Sequence, residues 1–125
     1  QIMIAPIEHV MCLNRDAEVM LFDEPWEGPY SPSIDQVMSL MADNLGQQTG
    51  TILFSGMGSD GAVAAVKLKD MNIPVWAQSA DTCANSSMPD SARATGCVSF
   101  SGSPVQLAQQ FTRHAAEHFA DILNI

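Results

Sequence analysis

The sequence predicts an α/β domain built around a parallel sheet, with a β-hairpin appended near its start. Three observations carry that expectation. Short apolar runs alternate with segments of helical period, the connections between them are short, and capping or turn residues mark the breaks. Right-handed βαβ crossovers follow from such an order. At 125 residues, 46% of them hydrophobic, the chain has the size for one compact core or a large piece of a bigger one.

Ile2-Met3-Ile4-Ala5 is a continuous apolar run stopped by Pro6, the pattern of a strand buried on both faces. Because it reads as the middle of a buried strand, the chain is expected to be a fragment of a longer protein. Val10-Met11-Cys12-Leu13 and Val19-Met20-Leu21-Phe22 flank the turn Asn14-Arg15-Asp16 and predict the hairpin. Residues 23–32, rich in Pro, Gly and acids, predict an irregular surface loop. Ser33 and Gln36 have the spacing of a capping box, Ile34, Val37, Met38, Met41 and Leu45 recur at helical period, and Gly46 is expected to end that helix in the left-handed conformation. Thr51-Ile52-Leu53-Phe54 predicts another buried strand, and a helix is expected from Ala62 to about Met71, closed by Asn72 and Pro74. Val75-Trp76-Ala77 is the next strand; Pro89 fits the first turn of a short helix stopped at Gly96, and Val98-Ser99-Phe100 predicts the last strand. Ser103 and Gln106 form a second capping box around Pro104, and the final helix is expected to bury Leu107, Phe111, Ala115, Phe119 and Ile122.

Fourteen acidic against five basic side chains give a net charge of −9, a repulsive field for nucleic acid and anionic lipid. No apolar run approaches the roughly 18–20 residues that a bilayer requires, so no membrane insertion is expected. Cys12, Cys83 and Cys97 are odd in number, widely spaced and outside any C-x-x-C pattern, which suits reduced thiols and a cytoplasmic setting.

The chemistry-bearing candidate is Phe54-Ser55-Gly56-Met57-Gly58-Ser59-Asp60-Gly61-Ala62, at the C-terminal end of a predicted strand, where α/β sheets collect their ligands. Three readings of it compete. As a dinucleotide loop, Gly56, Gly58 and Gly61 would admit a pyrophosphate and Asp81 would bind a ribose hydroxyl, but Asp60 would contest the same helix end with the phosphate. As architecture, the glycines serve a tight strand-to-helix turn and Asp60 favours a helix dipole. As catalysis, Asp60 is a carboxylate that orients a histidine, as in a Ser-His-Asp triad, although no G-x-S-x-G nucleophile elbow accompanies it. His9 reads as a loop residue, and Met71 and Met88 read as core fillers. His114-Ala115-Ala116-Glu117-His118 spells H-x-x-E-H, but with no evident third ligand it reads as a solvated histidine pair, and no metal is expected.

Ile4-Ala5-Pro6 with His9, then Pro32-Ser33-Ile34-Asp35, then Gly56-Met57-Gly58-Ser59-Asp60-Gly61-Ala62, and then Met88-Pro89 with Ala92 and Gly96 follow one another in an order and spacing that resemble the chemotaxis receptor methylesterases, the CheB family. The resemblance spans nearly the whole chain. It implies a doubly wound, Rossmann-like, three-layer parallel sheet and a parent enzyme that hydrolyses glutamyl methyl esters, and deamidates glutamines, on chemoreceptors through a Ser-His-Asp triad without a cofactor. Asp60 matches the triad aspartate and Met57 the methionine beside the catalytic centre. The family's serine and histidine lie N-terminal to the matched part, so residues 1–125 would be the C-terminal portion of a single catalytic domain, inactive by itself. The implied partners are the cytoplasmic domain of a methylated chemoreceptor and an upstream receiver domain in the parent protein; exposed sheet edge also suggests a homo-oligomer. His9 aligns with a different family histidine. Tyr30-Ser31 stand where the family often has a basic residue, and residues 81–87 depart from the usual pattern. A nucleotide-binding module and a non-catalytic interaction domain remain the alternatives.

Overall fold

A computed structural model describes residues 1–118. Its elements are β1 (Met11–Leu13), β2 (Val19–Leu21), α1 (Ile34–Leu45), β3 (Thr51–Leu53), α2 (Ala62–Asp70), β4 (Val75–Gln78), α3 (Ser87–Ala94), β5 (Phe100–Gly102) and α4 (Pro104–His118). β3, β4 and β5 form a parallel sheet in that order, with Thr51 opposite Val75 and Trp76 opposite Phe100. The hairpin β1–β2 is a separate antiparallel pair, with Met11 opposite Leu21.

Side chains alternate across a strand, so the central strand β4 feeds two layers and is buried along its whole length. On one face, Leu53 and Val75 pack with Met38 and Ala42 of α1, Ala64, Ala65 and Leu68 of α2, and Ala92 of α3. On the other, Trp76 meets Phe100 and His114 of α4 in edge-on ring contacts. Alanines on α1 and α2 let those helices approach closely, and Leu68 is among the largest fully buried side chains. The hairpin is more than an appendage. Val10 and Cys12 are buried, and Asn44 of α1 donates to the Leu13 carbonyl at 2.7 Å.

The two serine caps form as expected, with one difference. At α4, Gln106 N donates to Ser103 Oγ (3.2 Å) and Ser103 N to Gln106 Oε1 (2.8 Å), a complete capping box. At α1, Gln36 N donates to Ser33 Oγ (3.1 Å), but the Gln36 side chain instead accepts from Glu27 N (2.9 Å) and ties down the 23–32 loop. That loop is irregular, as predicted, yet it buries Trp26, whose indole donates to the Pro6 carbonyl at 2.8 Å. Gly46 ends α1 at φ 55°, ψ −131°, which is open to glycine but is not the left-handed helical region expected.

Three further expectations fail. Residues 2–5 form no strand: Ile2 is 92% and Ile4 88% exposed, because among the described residues no strand pairs with them to supply the ladder of hydrogen bonds. β5 begins at Phe100, two residues later than predicted, since Ser99 N donates to Val75 O as a lead-in before the register with Trp76 starts. Phe111 is 58% exposed, because α4 packs over β4 and β5 and leaves the β3 side of that face open. Leu107 and Ala115 are buried as expected, while Phe119 and Ile122 lie outside the described residues. Cys12 is buried, Cys83 and Cys97 are partly so, and all three are free thiols.

Candidate active site

The loop between β3 and α2 carries the G-M-G-S-D-G motif at the C-terminal end of the sheet, where the sequence places it. Gly58 and Gly61 adopt φ of 96° and 100°, which penalise any side chain. Gly56 has ordinary backbone but faces Met88, whose Cε would stand 2.6 Å from an added Cβ. A Cβ at Gly58 would meet the Tyr30 hydroxyl at 2.7 Å. The loop is therefore wedged between Tyr30 on one side and Met88 on the other.

Asp60 is 4% exposed, and its carboxylate does not cap the helix that follows it. It turns instead to α1, where Ile34 N donates to Oδ2 (2.7 Å) and Asp35 N to Oδ1 (2.9 Å). Together with Ser33 Oγ on Gln36 N, this satisfies three of the four amides that open a helix, and the negative charge lies at the positive end of the α1 dipole. In return, Ala64 N of α2 donates to Asp35 Oδ1 at 2.8 Å. Each helix start is thus capped by a carboxylate belonging to the start of the other. A recess of about 590 Å³ opens beside Asp60, lined also by Tyr30, Asp35, Gln36, Val63 and Lys67.

The connection from β4 to α3 braces the other side of the loop. Gln78 is buried; its Oε1 accepts from Ser55 N (2.8 Å) while its amide nitrogen donates to Thr82 O (2.9 Å). Asn85 O accepts from Gly56 N (2.9 Å), and Ser87 Oγ accepts from Gly58 N (3.0 Å). Met57, between those anchored amides, projects outward at 79% exposure. Sequence reasoning missed Gln78, Asn85 and Ser87 as supports of the loop. The available signal was a glutamine ending a fully apolar strand, since a buried polar side chain must find partners.

This bonding bears on the nucleotide reading. The amides at 55, 56 and 58 that would cradle a phosphate already donate to protein acceptors, and the Ala64 amide of α2 is held by a carboxylate. A phosphate would have to displace them while facing Asp35 and Asp60. Asp81 lies exposed in a 3₁₀ turn after β4. His9 is exposed in the loop ahead of β1. The His114 and His118 rings stack on each other at 4.1 Å, and His114 also meets Trp76 edge-on at 5.4 Å. Among the described residues, no three His, Cys, Asp or Glu side chains group as metal ligands.

The whole defines a parallel α/β domain with a buried, amide-held carboxylate at the C-terminal end of its first sheet strand. Its fold matches the crystal structure of the Thermotoga maritima CheB methylesterase catalytic domain, with TM-score 0.72 and 20% identity over 84% of this chain and 56% of that one. The sequence pattern of the CheB methylesterase family matches residues 1–111, and the chain belongs to that family. Among curated relatives, the protein-glutamate methylesterase/protein-glutamine glutaminase of Photorhabdus laumondii is 33% identical over 98 residues, 76% of this chain and 28% of that protein. A second such protein, from Shewanella denitrificans, is 29% identical over 116 residues, 90% of this chain and 33% of its own length. The chain thus spans about a third or less of the length of these curated relatives. Among the described residues no helix is long and apolar enough to cross a membrane.

Proposed function

We propose that residues 1–125 are the C-terminal portion of a protein-glutamate methylesterase catalytic domain and supply Asp60 as the carboxylate of a Ser-His-Asp triad whose serine and histidine lie upstream. The observation that carries this reading is the setting of Asp60: buried, at the strand's end, with one backbone amide on each oxygen, in a chain of the CheB family. A carboxylate oxygen accepts more than one hydrogen bond, so Asp60 retains capacity for an imidazole N–H while the α1 amides fix its rotamer. In that role it would hold the histidine's tautomer and stabilise the imidazolium formed when the serine attacks the ester carbonyl. Backbone donors would stabilise the tetrahedral oxyanion, and water would release the acyl group in a second cycle. Met57, exposed at the loop's tip, would border the reacting carbonyl. The substrate class is a glutamyl methyl ester, or a glutamine amide, on a chemoreceptor's cytoplasmic domain.

The test is methanol release from a methylated chemoreceptor, by this chain and by a longer protein that carries the upstream part of the domain. Activity is expected only in the longer protein, with Asp60→Asn lowering turnover by about 10⁴, the loss typical of a mis-set tautomer. Asp60-dependent release by residues 1–125 alone would instead place a nucleophile within this chain. A fully active Asp60→Asn variant of the longer protein would remove Asp60 from the triad.

A further inference from the structure

The segment Pro32-Ser33-Ile34-Asp35 has no chemical role in the mechanism above, yet Asp35 stands at the centre of the bonding around Asp60. Its main-chain N–H donates to Asp60 Oδ1 at 2.9 Å, and its own Oδ1 accepts from Ala64 N at 2.8 Å. Three residues, Gly61, Ala62 and Val63, join Ala64 back to Asp60, so the two bonds close a ring: Asp60 carboxylate, Asp35 main chain, Asp35 side chain, Ala64, and the first turn of α2 returning to Asp60. Within that turn Ala62 N donates to Ser59 O (3.3 Å) and Ala65 N to Gly61 O (3.0 Å), and Gly61 is held at φ 100°. The ring lies at one end of the α1–α2 contact, whose body is the close packing of Met38 and Ala42 on Ala64, Ala65 and Leu68.

We propose that Asp35 is a positioning residue that fixes the Asp60 carboxylate; the proposal rests on the reading of Asp60 as the triad acid. The physical reason is that Asp60 sits on a glycine-rich loop, which has little stiffness of its own. Its bonds to Ile34 N and Asp35 N orient the carboxylate relative to α1 alone. The bond from Ala64 N to Asp35 fixes α1 relative to α2, and so fixes the loop on which Asp60 is carried. Without it the carboxylate would still find α1 amides, but α1 would be tied to α2 only further along the helices. Those ties are apolar packing, which tolerates small slides, and Lys67, whose Nζ reaches Ser39 Oγ (2.6 Å) and Asp43 Oδ1 (2.8 Å). The braces at residues 55, 56 and 58 hold the loop ahead of Asp60. A triad acid displaced by about 1 Å costs on the order of 100-fold in rate. Two carboxylates are brought together here at low cost, because each lies at the positive end of a helix dipole and accepts backbone N–H groups.

Asparagine and alanine separate this role from simple support. Asp35→Asn keeps an oxygen acceptor for Ala64 N, whereas Asp35→Ala removes it. In this chain, the NMR resonance of the Asp60 carboxyl carbon and the exchange rate of the Ile34 amide are expected to stay near wild type in Asp35→Asn. In Asp35→Ala the resonance moves and the amide exchanges about tenfold faster, while amides in the middle of α1, such as Ala42, keep their protection. In the longer protein, Asp35→Ala lowers kcat by about 10- to 100-fold with KM unchanged, and Asp35→Asn restores it. An Asp60 resonance and Ile34 exchange rate unmoved by Asp35→Ala would overturn the proposal, as would full activity of Asp35→Ala beside an inactive Asp60→Asn. If the resonance moves but Asp60→Asn is fully active, the link from Asp35 to Asp60 stands and the triad reading falls.

Discussion

At the scale of the residue, Asp60 carries architecture and proposed chemistry together, and the two are separable by measurement. Asp60→Ala leaves the Ile34 and Asp35 amides at a buried site without their acceptor, and is expected to destabilise the chain by about 3 kcal/mol. Asp60→Asn keeps one oxygen but turns an NH₂ toward the other amide, for a loss of about 1–2 kcal/mol. Urea unfolding midpoints of the two variants check this; equal stability of Asp60→Ala and wild type would mean that the α1 amides find water instead. The sequence marked Asp60 as exceptional because a carboxylate stood in a glycine loop of phosphate-binding form. It did not mark α1 as the carboxylate's seat. The donors lie 25 and 26 residues upstream, and local spacing offers α2, the helix next in sequence, as the obvious dipole. The Pro32-Ser33-Ile34-Asp35 segment and the glycine loop were visible as two motifs, and only packing α1 on α2 makes them one.

At the scale of the element, α1, α2, α3 and α4 were legible because caps, helical period and stop residues agreed. Ser33 and Ser103 sit where their spacing put them, and Asn72, at φ 59°, ends the α2 turn as predicted. What the period did not convey is how α4 meets the sheet. Phe111 falls on the helix's apolar stripe, but among the described residues no second layer covers its side of the sheet face, so it stays exposed while Leu107 and Ala115 are covered. His114, edge-on to Trp76, holds the middle of that contact. Burial, and then the neighbouring His118, hold its imidazolium below the usual histidine range, against an opposing pull from Glu117. The unfolded chain therefore binds this proton more readily than the folded one. The His114 contribution to stability is full above the unfolded value of about 6.5 and is lost as pH falls through the lower folded value. Tm is expected to decline on acidification across that window, and His114→Gln should flatten the decline; an unchanged pH profile in the variant would assign it to other groups. Asp90, bonded by Arg93 and Ser86, titrates below its ordinary value and would act only in a more acidic range.

At the scale of the whole molecule, the sheet is asymmetric. β4 is paired on both sides, β5 is followed by α4, and β3 offers one edge to a groove of about 650 Å³ lined by Pro32, Ile34, Met41, Phe54 and Met88. Ala5 reaches that groove, but the run Ile2-Met3-Ile4 ahead of it stays in solvent. A parallel strand buried on both faces, the pattern of Thr51-Ile52-Leu53, normally lies inside a sheet, since an open edge leaves a row of N–H and C=O groups to water. The sequence signalled burial for residues 2–5 and for β3 alike. Burial was realised where pairing was: β3 is paired with β4, while among the described residues no strand pairs with residues 2–5. A strand added at β3 would cover Phe54 and extend both helix layers, and the fold relative from Thermotoga maritima contains a further 44% of chain beyond the matched 56%. If residues 1–125 are the C-terminal portion of a longer domain, as proposed, its upstream part is expected to close this edge. In residues 1–125, the β3 amides that face away from β4 should exchange rapidly with solvent. In the longer protein they should become protected and Tm should rise, because a larger share of apolar surface is buried. Unchanged exchange and Tm would mean that the upstream part packs elsewhere. Protection in the short chain that grows with protein concentration would mean that a second copy closes the edge instead.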